Sequence, residues 1–195
     1  IGDGVVGRHS ARVAVAMGAE VYLVGRHRDR VPELQKEISK ELHFVQSEPD
    51  NIAAELNDAD LMVGAVLRRG ARAPRIVTEA MVQAMQPGSV IVDVSIDQGG
   101  CVETSHPTTH SAPVYLQYGV IHYCVANMPG AYPRLSTIAL TNATLPYALK
   151  LAEEGLDALR RDPGFGKGVI THAGRITSTP VAEALGLMDR FREFA

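Results

Sequence analysis

The chain has 195 residues, of which 46% are hydrophobic and 21% are charged, a globular composition that excludes long disordered segments. Its 19 basic residues face 22 acidic ones, and the net charge of −3 argues against nucleic acid as the main partner. No apolar run reaches the roughly 18 residues of a transmembrane helix, and no signal-peptide pattern is present. With only two cysteines, the sequence predicts a cytoplasmic protein. Because it has no membrane segment, no membrane partner is predicted either.

A glycine-rich turn opens the chain. Gly2, Gly4 and Gly7 have the spacing G-x-G-x-x-G, which in dinucleotide-binding units joins a strand to a helix and lets the backbone approach a pyrophosphate. Only Ile1 is left of the preceding strand, which is central to a doubly wound sheet. We therefore expect the chain to be the rear part of a longer protein. The alternative is a glycine turn without a ligand.

Strands and helices are predicted to alternate after this turn. A helix of small apolar residues over 8–17 ends at Gly18. Apolar runs and helical spacing then predict strands over 21–24, 42–45, 60–66, 89–94 and 119–126, and helices over 26–40, 51–57 and 78–85. The alternation predicts an α/β fold of the Rossmann type, with a doubly wound, mostly parallel sheet.

Two loops follow predicted strands, over 95–113 and 127–130. Ligands bind at the carboxyl ends of strands in open α/β sheets, and loops as long as the first are usually functional or disordered. The tail differs in character, with a helix interrupted or kinked near Pro146, a hairpin and a short helix, predicted over 135–154, 168–178 and 180–185. We expect a dinucleotide-binding domain over 1–133 and a C-terminal segment over 134–195 that returns to a domain missing from this chain.

The residues after the predicted strand over 21–24 bear on the choice between NAD and NADP. An acid there would bond the ribose hydroxyls of NAD, whereas an arginine accommodates the 2′-phosphate of NADP. This sequence has Gly25 and Arg26, with further arginines at 28 and 30. The arginines fit an NADP site, or a solvated helix start in an NAD protein without the acid.

Several reactive side chains lie in the long loop. Asp97 has a carboxylate that can hold a proton or orient an amine, or it serves only to form a turn. His106 and His110 are four residues apart, but Pro107 argues against a helix that would bring them to one face, so no metal site is predicted. The two cysteines, Cys101 and Cys124, are predicted to be small buried groups.

Longer motifs identify a family. They are GAVLRRGARAP over 64–74, MQPGSVIVDV over 85–94, IDQGGC and ETSHPTTH over 96–110, YCVANMPGAYPR over 123–134 and LTNATLPY over 140–147. In these motifs the chain resembles the alanine dehydrogenase family over essentially its whole length. The related domain of the transhydrogenase alpha subunit is similar to a lesser degree in the second half.

The resemblance implies reversible oxidative deamination of L-alanine to pyruvate and ammonia, with hydride transfer to NAD, or to NADP given Gly25 and Arg26. It implies a catalytic role for Asp97. The cofactor-binding residues implied by the turn, the arginines and the resemblance are Gly2, Gly4, Val5, Val6, Gly7, Arg26, Arg30, Ser47, Val66, Leu67, Val94, Ser95, Ile96, Asp97, Val125, Ala126, Asn127 and Met128.

The resemblance also implies a two-domain protein that assembles as a hexamer. The family's catalytic histidine and its substrate-binding arginine and lysine lie in an N-terminal region, so this chain alone is predicted to bind a dinucleotide without turning over alanine. The alternatives are a non-catalytic dinucleotide-binding module, favoured by Gly25, and a transhydrogenase-like subunit, which the lack of a membrane segment disfavours. The loops after 95 and 127 favour the enzyme.

Overall fold

Strands and helices alternate through the first part of the computed structural model, which describes residues 1–194. The helices of this part are α1 (Val5–Ala16), α2 (Val31–Glu37), α3 (Pro49–Leu56) and α4 (Glu79–Ala84). Its strands are β1 (Tyr22–Gly25), β2 (His43–Gln46), β3 (Leu61–Gly64), β4 (Val90–Asp93), β5 (Val114–Gln117) and β6 (Val120–Tyr123). The helix expected over 26–40 is shorter, because its first residues form a 3₁₀ turn over Arg28–Arg30.

The strands form two groups. β1 pairs with β2 in parallel, and β3, β4 and β6 are parallel neighbours, whereas β5 pairs antiparallel with β6. Their order within the larger group is β3-β4-β6-β5. Parallel strands with intervening helices confirm the predicted α/β fold of the Rossmann type.

The region before β6 departs from the sequence-based expectation. A single strand over 119–126 is wrong, because β6 ends at Tyr123 and a hairpin precedes it. Tyr118 and Gly119 both have positive φ, as a type I′ hairpin turn requires. β5 lacks a buried apolar run, since Val114 and Leu116 are exposed on this edge strand.

Ile1 and Gly2 lie between the two strand groups. The Gly2 amide donates to the carbonyl of Val24 in β1 (2.9 Å), while the Ala65 amide donates to the Ile1 carbonyl (2.8 Å). The Ile1 nitrogen donates to the carbonyl of Val63 in β3 (2.7 Å). Beyond Ile1, a groove of about 520 Å³ runs between β1 and β3. The two residues thus occupy one end of the position of a central strand.

Apolar side chains from both strand groups form the core of this part. The larger cluster includes Val24, Ile52, Met62, Val82, Ile91 and Val120, and a smaller one joins Ala11, Leu23, Leu34 and Leu42. α4 is positioned by its cap, since the Thr78 hydroxyl accepts from the Met81 amide at 3.3 Å. Packing of these helices fixes the strands whose carboxyl ends carry the loops described below.

The second part is helical with a small hairpin. It contains α5 (Pro133–Glu154), α6 (Leu156–Arg161), α7 (Pro163–Gly166), β7 (Thr171–His172), β8 (Arg175–Ile176) and α8 (Thr179–Leu185). Ala173 and Gly174 have positive φ, which confirms the predicted hairpin and its turn. Of the two outcomes expected near Pro146, an interruption is wrong, since α5 continues through this residue, and a kink stays a prediction.

Contacts group the described residues into two units. One comprises residues 1–68 and 72–128, and the other comprises residues 69–71 and those from Pro129 onward. The division predicted at residue 133 into two folding domains stays a prediction. Within residues 1–194, no helix has both the length and the apolarity needed to cross a membrane.

A buried histidine lies beside the long loop. The His122 ring donates from Nδ1 to the Val120 carbonyl (3.0 Å), and in the neutral ring Nε2 accepts from the Thr104 hydroxyl (2.8 Å). The ring stacks on Tyr115, which stacks on His106. Burial lowers the pKa of His122. Burial thus favours the neutral ring, in which both nitrogens have hydrogen-bond partners.

We expect this histidine to make the fold sensitive to acid. Because the pKa of His122 is lower in the folded than in the unfolded chain, its stabilising contribution is present above about pH 6.5 and is lost as the pH falls toward the lowered value. Urea unfolding of wild type and His122→Gln between about pH 7.5 and 5.5 measures this. The variant is expected to lose part of the pH dependence, whereas exposed His9→Gln keeps it. Equal slopes for wild type and His122→Gln would contradict the expectation.

Candidate functional site

The glycine turn packs tightly on one side and is open on the other. Gly2 has φ +106°, and a Cβ there would collide with the Ala65 carbonyl, as one on Gly7 would with the Gly2 carbonyl. A Cβ on Gly4 would meet no atom within 4 Å. α1 begins at the next residue with no side-chain cap and no acidic residue in its first turn. The positive end of this helix therefore fits a phosphate group.

Ser95 joins the ends of β3 and β4. Its hydroxyl accepts from the Val66 amide and donates to the Val66 carbonyl, both at 2.9 Å. Val66 and Ser95, both predicted cofactor contacts, are therefore brought together at the carboxyl edge of the sheet. The neighbouring Leu67 is exposed.

Asp97 bridges the two loops that follow β4 and β6. Its Oδ1 accepts from the Asn127 amide at 3.1 Å, and both residues are exposed. Asn127 has φ +55°, a left-handed conformation that asparagine tolerates better than most residues. His110 Nε2 donates to the Asn127 carbonyl at 3.0 Å. The arrangement holds a carboxylate at the surface, beside an exposed backbone segment.

A second carboxylate, which is fully buried, shapes the loop that carries Asp97. Asp93 accepts from the amides of Ser95 (3.1 Å), Cys101 (2.9 Å) and Val102 (3.3 Å). The Cys101 thiol also donates to it at 3.5 Å, and burial, together with the Asp93 carboxylate, raises the pKa of this thiol to about 12. Cys101 is thus a neutral donor, and Asp93 closes the loop into a fixed turn.

Close packing around this turn requires glycine at two positions. Gly100 has φ +78°, and a Cβ on it would lie 2.8 Å from Asp93 Oδ2. A Cβ on Gly64 of β3 would collide with the Cys101 sulfur. Backbone and carboxylate can approach this closely only because side chains are absent at both positions.

Predicted contacts at the other end of the site lie around β1 and β2. The Ser47 amide donates to the Gly25 carbonyl at 2.9 Å. Arg26 is exposed, and Arg30 is 3.6 Å from Glu33. Asp3, between the first two glycines, lies against Gly25.

The remaining residues predicted to contact the cofactor differ in their exposure. Ile96 and Val125 are buried, whereas Val5, Val6 and Ala126 are exposed. Val94 and Met128 are half-buried. His106 stacks on Tyr115, and both Cys101 and Cys124 are buried free thiols, as predicted.

Sequence reasoning did not identify Asp3 or Asp93 as functional residues. The available signal for Asp93 is an acid that ends the apolar run VIVD, where a buried charge needs several donors. The signal for Asp3 is an acid inside a glycine-rich turn that precedes a strand end without an acid, at Gly25.

Comparison with known proteins places the chain in a family. Residues 1–179 match the family described as "Alanine dehydrogenase/PNT, C-terminal domain". The alanine dehydrogenase of Halomonas elongata is 50% identical over 188 residues, covering 96% of this chain and 51% of that protein. The alanine dehydrogenase of Bacillus subtilis is also 50% identical over 188 residues, covering 95% and 50%. The chain spans about half the length of these curated relatives.

Solved structures agree with this placement. An L-alanine dehydrogenase structure matches with a TM-score of 0.82 and 44% identity, over 94% of this chain and 51% of that one. A transhydrogenase from Sinorhizobium meliloti matches with a TM-score of 0.69 and 22% identity, over 91% and 48%, and shows the fold alone. The chain belongs to the alanine dehydrogenase/PNT family, and its residues correspond to that family's C-terminal domain.

Proposed function

We propose that the chain is the dinucleotide-binding half of an enzyme that oxidises L-alanine to pyruvate and ammonia with NAD, and that catalyses the reverse amination. The observation that carries the proposal is the position of Asp97. Its carboxylate is tied to the Asn127 loop at the same edge of the sheet as the open glycine turn. Ligands bind at this edge of open α/β sheets.

The turn and the loops have separate tasks in this proposal. The open side of Gly4 and the amino end of α1 would hold the pyrophosphate. The backbones around Ser95 and Asn127 would line the nicotinamide end and limit access of water. When bound, the nicotinamide would supply the acceptor for the hydride that leaves the alanine Cα.

Asp97 is the group of this chain that handles protons. Its carboxylate would take a proton from the substrate nitrogen, or orient the water that attacks the carbon of the resulting imine. The hydrogen bond to the Asn127 amide fixes one oxygen and leaves the other for the substrate. A carboxylate in this position acts only on a substrate that another part of the protein binds.

An N-terminal region is proposed to supply the rest of the catalytic site and the preceding strand. The chain covers about half of its relatives, and the groove between β1 and β3 has the position of a central strand. α5 contains no buried residue and exposes large apolar side chains, which are Leu135, Ile138, Leu140, Leu145, Tyr147, Leu149 and Leu151. Such a surface is typical of a segment covered by another part of the protein. Hexamer formation and a cytoplasmic location remain predictions.

The proposal is tested by absorbance at 340 nm in the full-length protein, with L-alanine and either NAD or NADP. We expect alanine-dependent reduction of NAD. Binding of dinucleotide without any reduction would instead indicate the non-catalytic binding module. Failure to bind either dinucleotide would overturn both.

A further inference from the structure

The carboxylate of Asp3 occupies the space beside Gly25 at the end of β1. A Cβ on Gly25 would lie 2.9 Å from Asp3 Oδ2 and 3.1 Å from Asp3 Cβ. It would also lie 2.8 Å from Cε2 of the Phe44 ring. A side chain at position 25 and an aspartate at position 3 therefore compete for one space. The glycine at the strand end leaves room for an acid supplied from the turn.

One oxygen of this carboxylate lacks a hydrogen-bond partner in the part of the chain that the structure describes. Its Oδ2 is buried and has no hydrogen-bond donor among residues 1–194. Among the ion pairs found in this range, none includes Asp3, and Arg30 is engaged with Glu33. Buried polar atoms are usually paired, so an orphaned carboxylate oxygen needs a donor from elsewhere.

The position of the orphaned group indicates what that donor is. The end of the second strand in a dinucleotide-binding unit lies next to the adenosine ribose, where an acid normally accepts the ribose hydroxyl protons. Asp3 reaches this place from the glycine turn. An ionised carboxylate accepts hydrogen bonds but donates none, so it fits hydroxyl groups and repels a phosphate.

We propose that Asp3 takes over the ribose-binding role of the missing acid at position 25 and selects NAD over NADP. The proposal rests on the dinucleotide binding proposed above. Arg26 and Arg28 are exposed and solvated, whereas the Asp3 carboxylate is half-buried between Gly25 and Phe44. Solvent screens the exposed charges more strongly than the half-buried one, so Asp3 decides the preference.

The first test measures dissociation constants of NAD and NADP by calorimetry in the full-length protein. Wild type is expected to bind NAD more tightly. Asp3→Ala is expected to shift the NAD/NADP affinity ratio by about 10- to 100-fold toward NADP, the effect of losing a hydrogen bond to a charged group. Asp29→Asn, which neutralises a nearby exposed carboxylate, is the control and should leave the ratio unchanged.

A double variant tests the shared space directly. Asp3→Ala/Gly25→Asp removes the acid from the turn and places one at the strand end, where Asp3 Oδ2 no longer occupies the space and the Phe44 ring, 2.8 Å from the added Cβ, must move aside. We expect the NAD preference to return. Asp3→Ala with an unchanged ratio, or wild type that prefers NADP, would overturn the inference while dinucleotide binding stands. Wild type that binds neither would overturn the proposed function itself.

A probe that needs no variant covers the case in which Asp3→Ala fails to fold. Wild type is expected to bind ADP about 10-fold more tightly than 2′-deoxy-ADP, which lacks the hydroxyl that Asp3 would accept from. Equal affinities would overturn the inference. Asp3→Asn, close in shape, should reduce this discrimination and weaken the rejection of NADP.

Discussion

Asp97→Asn is expected to lower kcat for L-alanine oxidation by about 100-fold or more in the full-length protein, the scale of general acid–base contributions. Asparagine keeps the shape of the side chain and an oxygen that can accept from the Asn127 amide. The loop should therefore hold its conformation, and only the ability to take or hold a proton is lost. The dissociation constant for NAD should change little.

Glu41→Gln provides the matched control, because Glu41 is an exposed carboxylate with the same change of charge. It should retain the wild-type kcat. Near-normal turnover by Asp97→Asn would remove Asp97 from the mechanism. A large loss of NAD affinity would instead make it a cofactor-binding residue.

Asp93→Asn is expected to destabilise the fold by about 3 kcal/mol, because hydrogen bonds to a charged acceptor are lost and a buried donor is left unpaired. Both carboxylate oxygens accept from backbone amides, so an NH₂ group in either position faces a donor. Since Asp93 closes the turn that carries Asp97, kcat should also fall at temperatures at which the variant is folded.

Urea unfolding followed by circular dichroism measures the first effect, with Glu41→Gln again as control and expected to stay within about 0.5 kcal/mol of wild type. The second effect requires measurement of kcat without urea, at a temperature well below the midpoint of thermal unfolding. An Asp93→Asn protein as stable as wild type would show that the network around Asp93 contributes little. Full activity in a folded variant would separate this network from Asp97.

The sequence predicts the fold where local patterns suffice. The apolar runs that became β3 and β4, and the glycine turn before α1, carry their own signals and lie where expected. β5 has no such signal, because it is an exposed edge strand defined by pairing with β6. α5 passes through Pro146 although local propensity opposes this.

Of the carboxylates at the candidate site, Asp97 was predicted from the sequence, whereas Asp93 and Asp3 were not. Asp97 is recognisable from the loop motif, and the structure joins it to Asn127, 30 residues away. Asp93 depends on amides eight and nine residues downstream, and Asp3 depends on a space left by Gly25. Both depend on contacts between segments distant in sequence, so local patterns can mark these residues without showing what they contact.

We propose above that this chain holds a dinucleotide so that the full-length protein moves the Cα hydride of alanine to it. The most direct measurement supplies L-[2-²H]alanine and NAD and determines the mass of the reduced dinucleotide. We expect deuterium in the reduced product, formed together with pyruvate and ammonia. A reduced dinucleotide without deuterium, or no reduction by a protein that binds NAD, would contradict the claim.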